Sequence, residues 1–162
     1  MKRIFIDRDK CEGCKNCTLA CMQAHREKLA LESRTASSAG TLYDLDLLDP
    51  KTEARNEIVA DGKGGYVPLF CRHCSLPECA GACMSGALKK ETGTGHIQYE
   101  EKRCGTCFMC VMSCPYGNVK PDFASRSKIL KCDFCKDDDL GPNCVRACPT
   151  KALYVEEVMA GV

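Results

Sequence analysis

Residues 104–117 read CGTCFMCVMSCPYG, four cysteines at the spacing C-x2-C-x2-C-x3-C followed by a proline. Gaps of two let three successive thiolates turn onto three irons of one 4Fe-4S cube, while the fourth faces elsewhere. Where two cubes lie side by side, that fourth cysteine ligates the neighbour. The spacing predicts that the fourth cysteine sits at a helix start, with Pro115 in the first turn, where a missing amide hydrogen costs little.

Three further quartets follow the same grammar. Residues 11–21, CEGCKNCTLAC, repeat the spacing, and residues 71–83, CRHCSLPECAGAC, widen one gap to four. Residues 132–148 widen it to eight, with the loop Lys136–Asn143 rich in Asp and closed by Gly141 and Pro142; Pro149 comes next. At the places matching Pro115 and Pro149 stand Met22 and Met84. The sixteen cysteines are Cys11, Cys14, Cys17, Cys21; Cys71, Cys74, Cys79, Cys83; Cys104, Cys107, Cys110, Cys114; and Cys132, Cys135, Cys144, Cys148, with none left over. They predict four 4Fe-4S clusters, a metal-binding, iron-sulfur chain.

A structural zinc site commonly pairs two C-x2-C knuckles across a loop, which consecutive two-residue gaps fit poorly. A disulfide framework requires an oxidising compartment. Before charges resume, the N-terminus offers only the apolar run Ile4-Phe5-Ile6, neither signal nor transit peptide. No stretch approaches a membrane span. The expected location is the cytoplasm, where thiols stay reduced.

The 44% hydrophobic fraction counts the sixteen cysteines, and only five Phe, five Tyr and no Trp remain for an aromatic core. Several kcal/mol of folding are therefore expected from metal ligation. The formal charge of +1 argues against a nucleic-acid surface. An oxidised cube with four thiolates carries about −2, so four of them take the chain to about −7. Lys10, Lys15, Arg72, Arg103, Lys131 and Lys136 adjoin a cysteine and Arg146 lies two residues from Cys144 and Cys148; they are placed either to offset cluster charge or as solvated surface cations.

The later quartets are embedded in a repeated pattern: a strand-like run, the cysteines with a helix-like run, then another strand. Residues 65–70 lead into Cys71; Ala87-Leu88 and His96–Tyr99 follow Cys83; Ile129-Leu130 precede Cys132; Ala152–Val155 follow Cys148. This is an α+β arrangement of two ferredoxin-like modules. Spacing leaves open which quartets pair, since neighbouring quartets begin 33 or 28 residues apart in ways that suit either choice. Between Cys21 and Cys71, residues 18–32 read as helix and 33–40, SRTASSAG, as loop. Residues 41–48, with Tyr43, Leu45 and Leu47 on one side, and 53–60 beyond Asp49-Pro50 read as a hairpin. DGKGG, residues 61–65, returns the chain to the second quartet. The insert reads as a docking surface or as a flap over a cluster.

The four stretches CEGCKNCTLAC, CRHCSLPECAGAC with MSGAL, CGTCFMCVMSCPYG and KCDFCKDDDLGPNCVRACPTKAL resemble, in order and over nearly the whole chain, the motifs of four-cluster iron-sulfur subunits. Those subunits accompany molybdenum or tungsten oxidoreductases, carbon monoxide dehydrogenases and hydrogenases. The resemblance implies an inner module, residues 66–120, inserted in an outer one, residues 1–23 and 121–162, with 24–65 as the insert. It implies one cube on Cys71, Cys74, Cys79 and Cys114, and a second on Cys104, Cys107, Cys110 and Cys83. The outer cubes fall to Cys11, Cys14, Cys17 and Cys148, and to Cys132, Cys135, Cys144 and Cys21.

The implied function is electron transport in anaerobic metabolism, as a non-catalytic subunit of an oxidoreductase complex. Single electrons would pass between a larger catalytic subunit (carbon monoxide dehydrogenase, tungsten aldehyde oxidoreductase, formate dehydrogenase or hydrogenase) and a second redox partner (ferredoxin, flavin or hydrogenase subunit). A hetro-oligomer without nucleic acid follows, with repetition along a filament conceivable. With the sequence ending at Val162 and showing no long extension, the resemblance leads us to expect the compact cytoplasmic branch. A free polyferredoxin carrier and, remotely, a structural zinc protein are the alternatives. His73 reads either as a hydrogen-bond donor to a cluster or as a packing residue; His25 and His96 have no metal-like company in sequence, and no nucleophile, base and orienter set is present.

Overall fold

The computed structural model describes residues 1–33, 54–123 and 127–158. It is α+β. Along the chain come β1 (Lys2–Ile6), α1 (Asn16–Ser33), β2 (Glu57–Ala60), β3 (Tyr66–Leu69), α2 (Glu78–Gly81), β4 (Leu88–Lys90) and β5 (Ile97–Tyr99). Then follow α3 (Met109–Met112), β6 (Val119–Pro121), β7 (Ile129–Lys131), α4 (Asn143–Arg146) and β8 (Leu153–Glu157). The strands make two-stranded antiparallel ribbons: β1 with β8, β2 with β3, β4 with β5 and β6 with β7. Helix α1 packs on α4, and α2 on α3.

The cores are small and partly made of cysteine. Cys17, Ile58, Phe70, Cys144 and Leu153 are buried beneath the β1–β8 ribbon, with Ile4 and Ile6 against them. A second cluster joins Leu88, Ile97, Cys110, Val119 and Ile129. Hydrophobic burial thus converges on the positions where the sulfurs gather.

Fourth cysteines do not start helices, contrary to the spacing-based expectation. Helices α2, α3 and α4 end before Cys83, Cys114 and Cys148. Pro115 and Pro149 follow those ends, where the ring blocks continuation of the helix. After Cys21 the chain has Met22 instead, and α1 runs on to Ser33. Proline is also missing after Cys83, where Met84 stands and α2 has already ended, so its absence permits continuation without enforcing it.

After each of the later fourth cysteines the same turn recurs: the amides of Gly86, Gly117 and Lys151 donate to the carbonyls of Cys83, Cys114 and Cys148. All three turn residues have φ between 54° and 64°. Glycine adopts this left-handed conformation freely, whereas a residue with a Cβ is strained by about 1–2 kcal/mol. Lys151→Gly is expected to stabilise the protein by about 0.5–1 kcal/mol after the added unfolded-state entropy is subtracted. A thermal midpoint raised by a few degrees, with unchanged iron content, checks it.

Glu57–Ala60 pairs with Tyr66–Leu69 across residues 61–65, while the expected arm 41–48 and the loop at 34–40 lie outside the described residues. The turn is set by Asp61, whose Oδ1 accepts the amides of Lys63 at 2.7 Å and Gly65 at 2.9 Å. Those two bonds favour pairing forward to β3. Tyr66 then lies over the first quartet's loop so closely that a Cβ on Gly13 would sit 2.4 Å from its ring.

Candidate metal centres

Three cavities are lined by cysteines of more than one quartet. Cys11, Cys14 and Cys17 share one with Cys148. Cys71, Cys74 and Cys79 share a second with Cys114. Cys132, Cys135 and Cys144 share a third with Cys21, where Cys71 also reaches the wall. In the remaining group, Cys110 feels the charges of Cys83 and Cys104. Among the described residues no group of three or more His, Cys, Asp or Glu converges on a single-ion site.

Left-handed backbone shapes these loops. Gly13, Lys15, His73, Thr106, Phe108, Phe134 and Cys135 all have positive φ, a conformation that turns successive amides toward one concavity and favours anions there. Backbone N–H groups of Arg55, Leu88, Asn118 and Phe134 donate to Sγ of Cys21, Cys83, Cys114 and Cys132, each at 3.4 Å.

Burial pushes the Cys17 and Cys79 thiols up to about 11. Cys132 and Cys144 are raised as well, first by burial and then by the cysteines around them. Cys83 and Cys148 behave differently. Burial works to raise them too, but the amides of Leu88 and Leu153 and the hydroxyls of Ser85 and Thr150 outweigh it, holding both thiols below their ordinary value. Crowded buried thiols that cannot all ionise alone are suited to a cationic metal core, which is the condition for thiolate ligation.

Uncompensated polar groups sit at the same places. Lys131 is 4% exposed. Its ammonium donates to the carbonyls of Ile97 at 3.0 Å and Cys132 at 2.9 Å, with no carboxylate partner among the described residues. It also favours the thiolate forms of Cys79 and Cys132, so it stands between two of the cysteine groups. A buried unpaired charge costs several kcal/mol; anionic clusters held by the cysteine groups on either side would remove that cost. Of the other cations near cysteines, Lys10, Arg103 and Arg146 pair instead with Asp7, Glu100 and Asp138.

His73 is a buried acceptor: its Nδ1 takes the Ile97 amide at 2.9 Å. In the neutral ring Nε2 then carries the proton, and this atom is buried without a protein partner. The Tyr99 hydroxyl, also without one, stands beside Cys104. Orphaned donors beside cysteine groups fit cluster sulfides as acceptors.

His25 has close company that its sequence context does not display. Its Nδ1 lies 2.7 Å from the Cys21 carbonyl, and its Nε2 lies 3.5 Å from Asp133, which Arg55 meets at 3.0 Å. Burial opposes the imidazolium, but Asp133 and Cys21 raise His25 to about 9. The spacing of four from Cys21 on a helix was the available signal; Arg55 and Asp133 had none. His96 donates through Nε2 to the Lys2 carbonyl at 2.9 Å and stacks with His73 and Phe134. It is a packing residue joining β1 to the segment after the second quartet.

The sequence profile of the 4Fe-4S dicluster domain matches residues 63–158. The chain belongs to the 4Fe-4S dicluster family. This member of the family is a ferredoxin-like iron-sulfur protein of the electron-transfer type. It is similar to the electron transport protein HydN of Escherichia coli (strain K12), at 32% identity over 93% of this chain and 85% of HydN. It is also similar to the NADH-dependent phenylglyoxylate dehydrogenase subunit beta of Aromatoleum evansii, at 33% identity over 93% of this chain and 29% of that subunit. A chain of the active-site complex BamBC of benzoyl coenzyme A reductase shares 26% identity, with a TM-score of 0.49, over 98% of this chain and 78% of that one. Among the described residues no helix is long and apolar enough to cross a membrane.

Proposed function

We infer that this dicluster protein carries four 4Fe-4S clusters and relays single electrons between a larger catalytic oxidoreductase subunit and a second redox partner, without bond chemistry of its own. The reading rests on one observation above all: each of three cavities is lined by three cysteines of one quartet and the fourth of another. The ligand sets are Cys11, Cys14, Cys17, Cys148; Cys132, Cys135, Cys144, Cys21; Cys71, Cys74, Cys79, Cys114; and Cys104, Cys107, Cys110, Cys83. Bound clusters supply reversible one-electron storage at potentials that the protein tunes through burial, hydrogen bonds and charge.

The sets follow one another in that order. Cys17 and Cys144 are charge neighbours, as are Cys71 and Cys132, and the last two sets interleave across the α2–α3 contact. Cys14 and Cys107, in the two end sets, are the exposed cysteines, so electrons enter and leave near them. Pairing of β1 with β8 and of α1 with α4 supports an outer module of residues 1–23 and 121–162 around an inner one of 66–120. A cytoplasmic location follows from thiols that must stay reduced.

Lys131 sets the potential where the modules meet. Replacing it by Met removes a positive charge worth about 2 kcal/mol at an effective dielectric near 20. Reduction is then harder by roughly 90 mV. Redox titration of the variant, with iron content as control, checks this; an unchanged midpoint would disprove the assignment.

The test of the function is anaerobic purification of the tagged chain from its native host, with metal and sulfide analysis. About sixteen iron per chain with a stoichiometric larger oxidoreductase is the expected result. The same iron with no partner would favour a free polyferredoxin carrier, a reading that the likeness to an electron transport protein keeps in view. About four zinc and no sulfide would overturn both.

A further inference from the structure

Between β1 and β3 runs an open cleft of about 540 Å³, within the range of ligand clefts; it adjoins the cavity of Cys71, Cys74, Cys79 and Cys114, sharing Arg72, Pro115, Tyr116 and Asn118 with it. Arg3, Arg8 and Arg72 line it together with Tyr116, and no carboxylate lines it among the described residues. Arg72 stacks over Tyr116 at 4.1 Å from the ring centre. The buried Nε of Arg3 has no hydrogen-bond partner, while its Nη2 donates to the Ser75 hydroxyl at 2.7 Å.

One wall of the cleft is a free strand edge. Met1 and Val158 exchange reciprocal backbone bonds at 2.9 and 2.8 Å, and the Asp7 amide donates to the Ala152 carbonyl. Antiparallel alternation then turns the peptide groups of Arg3 and Phe5 toward β8, and those of Lys2, Ile4 and Ile6 away from it. The Lys2 carbonyl, pointing outward, is taken by His96. The Ile4 and Ile6 peptide groups have no partner among the described residues. Across the cleft, β3 offers no second pairing edge: Pro68 lacks an amide hydrogen and the Phe70 carbonyl is taken by Asn118.

We propose that this cleft receives an extended acidic segment of the partner subunit, added as a strand to the outer edge of β1. Ile4 and Ile6 supply the main-chain bonds, and Arg3, Arg8 and Arg72 supply charge complementarity to carboxylates on the added strand. On a chain that anionic clusters would make net negative, three arginines without a carboxylate in the lining supply the local attraction an acidic segment needs. The idea rests on the reading that the chain docks to a larger subunit, and its test is independent of which subunit that is.

The probe is a fluorescent decapeptide of alternating Glu and Val, titrated anaerobically into the iron-loaded full chain, with an alternating Lys and Val peptide and inorganic triphosphate as comparators. The Glu peptide is expected to bind, to weaken at least about tenfold in Arg8→Glu at unchanged iron content, and to weaken with salt. In the unaltered protein it is expected to slow amide hydrogen exchange at Ile4 and Ile6, a readout that needs no variant. Equal binding of the Lys peptide, equal binding to Arg8→Glu, or unchanged exchange at both amides would overturn the proposal. Triphosphate giving the same affinity and the same loss would make the cleft a simple anion site. Protection of Ile4 and Ile6 that rises with protein concentration alone would assign the edge to a second copy. If the native partner still co-purifies when the peptide fails, the docking cleft falls and the electron-relay function stands.

Discussion

Cys114→Ser is expected to remove about four of roughly sixteen iron atoms, and those four should belong to Cys71, Cys74 and Cys79 rather than to the cysteines nearest Cys114 in sequence. Cys79 feels the charges of Cys71, Cys114 and Cys74, whereas Cys110 feels Cys83 and Cys104. Double variants make the assignment measurable. Adding Cys79→Ser to Cys114→Ser should cost no further iron, because both strike one cluster. Adding Cys107→Ser should cost about four more. The opposite pattern would restore in-motif ligation and remove the crossed order of clusters. A serine ligand that retained the cluster would appear as a changed electron paramagnetic resonance spectrum at full iron, and the double variants would still report which set it belongs to.

Removing the iron is expected to unfold most of the chain. The ribbons are two-stranded, and such ribbons are marginal in water on their own. Helices α2, α3 and α4 have four residues each, far below the length at which a helix holds by itself. The buried core joins only a few apolar side chains to Cys17, Cys144 and Cys110, and Lys131 would be left buried without a counter-charge. Ligation free energy is then folding free energy. Anaerobic chelation followed by far-ultraviolet circular dichroism should show loss of the native spectrum, and iron with sulfide should restore it. A native-like spectrum in the chelated protein would show that the apolar core suffices.

Much of this was legible in one dimension because cluster ligation is written in spacing. Two-residue gaps are enforced by the geometry of a cube, and the short strands around each quartet carry Val, Ile, Leu and Tyr in runs that announce themselves. The direction of the motif helices was not legible. Pro115 reads equally well as the first residue of a helix or as its terminator, and only the backbone shows that α3 has already ended. Likewise the pairing of Glu57–Ala60 with Tyr66–Leu69 was not read from the sequence, because the Asp61 turn that joins them shows its hydrogen bonds only in the fold.

The charged surroundings were the least visible. Seven cations near cysteines look alike in sequence, yet Lys10, Arg103 and Arg146 meet carboxylates while Lys131 is enclosed. Burial depends on which strands β7 lies against, a property of packing that no local pattern encodes. His25 acquires Asp133 and Arg55 for the same reason.

By itself the sequence determined the chemistry: sixteen thiols at gaps that suit iron-sulfur cubes, in a chain with five Phe, five Tyr and no Trp for an aromatic core. The tertiary structure decided the neighbourhoods. It brings Cys148 to Cys11, Cys21 to Cys132 and Cys114 to Cys71, leaves the edge of β1 open beside three arginines, and encloses Lys131 between two cysteine groups. Spacing along the chain fixes what one loop can bind, but proximity between loops follows from strand pairing and helix packing across more than a hundred residues, as in Met1 with Val158.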